Sequence, residues 1–111
     1  MYGEGLDGDG NEVLSFVDGE SDHPHAWSDD GIHALGALLR QLHDAAETFS
    51  ATDDMIWQPW FTRQTGPGTI IGYGDTGPWT VLSDADGIPI AFIDWEYAGP
   101  VERIDEVAQT A

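Results

Sequence analysis

Residues 29–49, DDGIHALGALLRQLHDAAETF, constrain the fold of this chain more than any other stretch. Ile32, Leu35, Leu38, Leu39, Leu42, Ala46 and Phe49 fall on one face at a period of 3.6, which predicts one long amphipathic helix. Ser28 is placed to cap it, and Asp29 and Asp30 in the first turn complement the helix dipole. A single apolar stripe has to be buried against something. The rest of the sequence offers short β-type runs: EVLSFV at 12–17, TII at 69–71, and strands at 79–83 and 89–93 joined by Asp-Ala-Asp-Gly, a strong hairpin signal. The expectation is an α+β fold in which the helix packs on small sheets. A last helix is expected from Arg103, with Ile104, Val107 and Ala108 as its apolar face.

At 111 residues the chain suits one domain with a modest core. The absence of cysteine excludes disulfides and thiolate metal sites. Twenty-one acids face three arginines and no lysine, a formal net charge of −18. Such a surface repels phosphate backbones and anionic lipid, so neither nucleic acid nor membrane is an expected partner. Disorder is the other consequence of high charge, but 41% hydrophobic residues and five tryptophans argue for a fold. A surface of this kind suits concentrated salt, where self-repulsion is screened; a high-GC genome would also give Arg without Lys. MYGEGLDGDG lacks the basic and apolar regions of a signal peptide, and no apolar run is long enough to span a bilayer, so a cytoplasmic protein is expected.

Several segments carry weaker signals. Asp7, Asp9 and Asn11 match the start of a calcium loop, but Glu12 and Asp18 stand where Gly and Glu are wanted, which favours a plain hairpin turn. His23 and His25 flank a proline in a linker over 18–28. Two loop histidines without a third ligand favour solvated loop over metal site. His33 and His43, on or beside the helix stripe, read as packed or capping residues. Trp57, Trp60 and Phe61 surround Pro59 within 50–68 and read as core or as a cover over core.

The chemistry-bearing candidates are Asp75, flanked by glycine on a loop after TII, and Asp94, which ends the second hairpin strand. A hairpin can return its far end to the loop that feeds it, so both carboxylates can face one cleft. Two such acids serve phosphoryl transfer, one as base toward an acceptor hydroxyl and one holding Mg²⁺ on nucleotide phosphates. The plain alternatives are a turn acid at Asp75 and a strand-ending cap at Asp94.

The run YGDTGPWT, then IPIAFIDWEYAGP, then RIDEVA resembles the aminoglycoside phosphotransferase family, relatives of choline kinases with a protein-kinase-like fold. EVLSFVDGE resembles the family's hinge and LLRQLHDA its long helix. The resemblance implies a partial kinase-like C-terminal lobe over the whole chain, built from hinge strand, long helix, catalytic loop and β-hairpin. It implies Asp75 as catalytic base, Asp94 as the main Mg²⁺ ligand with Thr80 as a second, and the Phe16 and Val17 backbone against the adenine of ATP. Glu96 would assist beside the metal, and Asp105 would hold the catalytic loop. Tyr73 and Thr80 replace the family's His and Asn, and no glycine-rich loop or phosphate-gripping lysine is present. The expectation is therefore an ancestral transferase of ATP γ-phosphate to a small-molecule hydroxyl, incomplete in this chain, with MgATP bound weakly or not at all. The alternative is a non-catalytic binding module of the same ancestry. Apolar surface left uncovered around the helix and Trp57, Trp60 and Phe61 implies self-association, and a separately encoded N-terminal lobe would complete the fold.

Overall fold

The computed structural model describes residues 5–21 and 26–110, so His23 and His25 lie outside the described residues. Strand β1 is Glu20–Ser21, helix α1 Asp29–Ala46, β2 Thr69–Gly72, β3 Val81–Ser83, β4 Pro89–Phe92, β5 Gly99–Glu102, and helix α2 Arg103–Thr110. Among the described residues this is a mixed α/β architecture of two helices and two small antiparallel sheets, ordered β1-β3-β4 and β2-β5.

Helix α1 starts where the sequence places it. Ser28 has extended backbone, and its hydroxyl accepts the Gly31 N–H at 3.1 Å. Leu35, Leu39 and His43 form the buried seam, spaced by one turn each. The helix stops at Ala46, before Phe49, and both Phe49 and Ile32 remain half exposed. The apolar stripe is thus covered in its middle and open at its ends.

The hairpin β3–β4 turns on Asp84–Gly87, as expected. The Asp84 carboxylate accepts the N–H groups of Asp86 and Ile88, and Gly87 takes the positive φ of 76° that the turn needs. Both strands are shorter than the sequence suggests, because Trp79 and Thr80 belong to the preceding turn.

Two segments differ from expectation. Residues 12–17 do not form a strand; only Glu12 makes an isolated bridge, to Leu6. The edge of β3 is taken instead by Glu20–Ser21. Gly19 permits that approach, since a side chain there would press on Leu82 and the Ser83 carbonyl. Strand β5, by contrast, lies in a Gly-Pro sequence with no strand signal. It pairs with β2 from Thr69↔Glu102 to Gly72↔Gly99, and Gly99 is required because the Arg63 guanidinium lies where its side chain would be.

The turn over residues 7–11 is built by Asp7. Its Oδ1 accepts the Asp9 and Asn11 N–H groups and its Oδ2 accepts the Asn11 amide, which holds its carboxyl below the usual range. That carboxylate is committed to its own turn, the plain-turn reading rather than the calcium one.

The apolar face expected on α2 points outward. Ile104 and Val107 are exposed, while Glu106 is fully buried. The inward face is polar because the fold supplies partners for it. Near the same helix start, Arg103 reaches back to Asp44 and Glu47 at the end of α1.

Candidate functional site

The loop from Gly72 to Thr80, between β2 and β3, is held from beneath by buried polar groups. Gly74 adopts φ 91°, a conformation that favours glycine, and a side chain there would strike the Tyr97 carbonyl. Its N–H donates to Glu106 Oε1 at 2.6 Å. Its carbonyl accepts from Trp60 Nε1 at 2.5 Å and from Gln109 Nε2 at 2.9 Å. The other carboxylate oxygen of Glu106 lies 2.7 Å from His43 Nε2. One buried chain therefore runs from α1 through α2 to the residue before Asp75. Trp60 is fixed in turn by stacking on Tyr97, with ring centroids 4.0 Å apart.

Asp75 emerges from this clamp half-buried. Its carboxylate accepts from Trp79 Nε1 at 3.1 Å, and its carbonyl accepts the Thr80 hydroxyl at 2.6 Å. Thr80 also donates toward the Gly77 carbonyl, so its hydroxyl hydrogen is spent within the loop. Thr76 continues the loop's anchorage through the Thr110 hydroxyl.

Tyr73 links this loop to the corner that follows β4. The ring is fully buried, packs tilted on Phe92 and edge-on to Trp95, and its hydroxyl donates to the Ile93 carbonyl. Burial foremost, then the negative charges of Asp75, Asp94 and Glu106, pushes its phenol up to about 12 from an ordinary 10.0. Asp75, Asp94 and Glu106 thus all raise the same phenol, with no hydrogen bond or ion pair joining Asp75 to Asp94 among the described residues. Asp94 itself is exposed, with a left-handed φ of 62°.

The Tyr73 shift predicts an alkaline limit. The folded state keeps the phenol neutral, so this contribution is fully present below pH 10 and is lost as pH rises toward 12. Melting temperature should fall across that window. The phenolate absorbance that distinguishes wild type from Tyr73→Phe should appear only there; its appearance below pH 10 in folded protein would contradict the buried hydroxyl.

Outside the clamp lies an open groove of about 440 Å³, between residues 12–17 and the Ile93–Trp95 corner. Leu14, Val17, Ile93 and Trp95 give it an apolar lining, and Glu12 and Asp94 add carboxylates. Phe16, 91% exposed, stands at an adjoining hollow over Leu82 and Ile93.

Of the residues expected at a nucleotide and metal site, Val17 and Asp94 line this one groove, Phe16 stands at the adjoining hollow, and Asp75 and Thr80 belong to the loop behind it. Phe16 and Val17 lie in a segment without strand pairing, and the Thr80 hydroxyl donates to loop carbonyls. Among the described residues no three His, Cys, Asp or Glu side chains converge as a metal site. Asp105 does not hold the loop; it accepts from Gln64 at 2.6 Å, and its neighbour Glu106 takes that part. The sequence carries no signal that selects Glu106, one acid among 21, or pairs it with His43 across 63 positions.

Comparison with known proteins redirects the functional reading. No family model matches the chain, and no solved structure matches it. The chain is similar to the trifolitoxin immunity protein of Rhizobium leguminosarum bv. trifolii, with 44% identity over 110 residues, 98% of this chain. It spans 42% of that relative's length. The resemblance to aminoglycoside phosphotransferases is thereby corrected: the relative that matches nearly the whole chain carries an immunity name, not a phosphotransferase one. The γ-phosphate transfer expected from the motifs falls with it.

Proposed function

We propose that this chain serves toxin immunity, protecting a cell by binding the toxin. The observation that carries the reading is its 44% identity, across nearly its whole length, to a trifolitoxin immunity protein. The surface beside the Asp75 loop offers a place for binding. The Asp75 loop is held by hydrogen bonds from Trp79 and Thr80, whereas the adjoining groove offers open apolar and acidic surface.

A trifolitoxin-sensitive strain expressing this chain should grow at toxin levels that stop the same strain carrying an empty vector. Equal sensitivity, with the protein present in folded form, overturns the reading. Toxin recovered from a mixture with the purified protein should be retained with it and unchanged in mass. A changed mass would replace binding by modification.

A further inference from the structure

We infer that the groove between residues 12–17 and the Ile93–Trp95 corner is a docking site for a basic peptide segment bearing apolar side chains. This deepens the immunity reading, on which it rests for the biological occupant, by assigning the surface and the chemistry of the partner.

Charge argues for a basic occupant. The chain has no lysine and a net charge of −18, and each of its three arginines is engaged elsewhere. Arg40 pairs with Asp44, Arg103 with Asp44 and Glu47, and Arg63 donates to the Gln58 and Tyr97 carbonyls. Among the described residues neither Glu12 nor Asp94 in the groove has a cationic partner. A basic ligand supplies that missing charge and is steered in by the field of the whole chain. The same field opposes a second copy of this chain, an anionic lipid surface or a nucleic acid.

The lining argues for apolar side chains on the ligand. Leu14, Phe16 and Trp95 are exposed beside Val17 and Ile93, forming one continuous apolar strip. Trp95 is braced edge-on by buried Tyr73, so the strip is preorganised at that end.

The backbone argues for a peptide. Residues 14–18 lie outside every helix and strand, and among the described residues none of their N–H or C=O groups bonds to other backbone. These groups can pair with an extended peptide, which draws affinity from main-chain hydrogen bonds and selectivity from alternate side chains.

The test uses the full chain and a fluorescein-labelled octapeptide of alternating lysine and leucine, followed by anisotropy at about 0.15 M KCl. It should bind about tenfold more tightly than a lysine–glycine peptide of equal charge, and a glutamate–leucine peptide should not bind. Phe16→Ser and Leu14→Ser, both at exposed positions, should each weaken binding several-fold with unchanged melting. The double variant Glu12→Gln/Asp94→Asn should do the same and flatten the salt dependence. Ile32→Ser, in a separate groove beside Leu35 and Val107, should change nothing. Equal binding of the leucine and glycine peptides, or no effect of Phe16→Ser, overturns the inference. So does a wild-type dimer in sedimentation that Phe16→Ser dissociates, because the occupant would then be a second copy. The protection assay separates this inference from the reading it rests on. If wild type fails to protect while the peptides behave as expected, the immunity reading falls and the groove stands. If Phe16→Ser and Leu14→Ser protect as well as wild type, the groove is not the immunity surface and the inference falls.

Discussion

Replacing Glu106 with alanine should cost this fold about 2–5 kcal/mol, the cost of leaving two buried polar groups without a hydrogen-bond partner at about 1–3 kcal/mol each. A domain of ordinary stability holds about 5–15 kcal/mol in total, so much of the native population should be lost at physiological temperature. The reason is the number of groups that depend on one carboxylate. Glu106 is fully buried, accepts the Gly74 N–H with one oxygen and faces His43 with the other. Alanine would leave the Gly74 N–H and the His43 ring nitrogen without that partner. It would also open a cavity, because Gly72 leaves the notch that the carboxylate fills. His43→Leu should destabilise through the same pair, and the two losses should fall well short of additive in His43→Leu/Glu106→Ala. Urea denaturation of the four proteins measures this cycle. A loss below about 1 kcal/mol in Glu106→Ala would mean that the clamp is ornamental.

The clamp also explains how much of the site the sequence disclosed. Gly74 and Asp94 read as pieces of a catalytic motif, yet each is also what its backbone demands. Gly74 sits at φ 91° against the Tyr97 carbonyl, and Asp94 sits at φ 62°, a region that aspartate tolerates better than most residues. Loop geometry alone can select glycine before Asp75 and aspartate after Ile93, so the motif underdetermines the chemistry. The β3–β4 hairpin itself was legible, because its Asp-Gly turn is a strong local signal. The buried support was not, since it joins α1, α2 and the loop through single polar residues that have no periodicity.

The elements divide in the same way. Helix α1 and the β3–β4 hairpin were legible because each rests on local signals, an apolar period with a cap and an Asp-Gly turn. Strand β5 was hidden behind Gly99 and Pro100, which it tolerates because its sheet has only two strands and Arg63 fills the space above Gly99. The 12–17 run misled because β-branched and aromatic residues describe a surface to be covered, not which strand covers it. Helix α2 was inverted for a related reason: hydropathy counts Glu106 as outward, whereas two waiting donors draw it inward.

Melting temperature should rise by about 5–15 °C between 0.1 M and 1 M KCl, the shift that a gain on the order of 1–2 kcal/mol gives in a domain of this size. Two like charges about 10 Å apart in water repel by about 0.4 kcal/mol before screening. The Debye length falls from about 10 Å to about 3 Å across that range, which nearly removes such terms. Here they are many and lack local relief. The carboxylates bridged by arginine are Asp44 and Glu47, among the described residues, while Asp29 with Asp30, and Asp84 with Asp86, stand close together in sequence without such a bridge. The unfolded chain spreads the same charges farther apart, so screening favours the compact state. The gain should be nearly the same in NaCl and KCl, because it depends on ionic strength. Sulfate should add a further increment through its exclusion from apolar surface, and that increment should shrink when Phe16→Ser reduces the exposed strip. A melting temperature that stays flat in KCl but climbs in sulfate would show that apolar exposure, not charge repulsion, limits the stability of this fold.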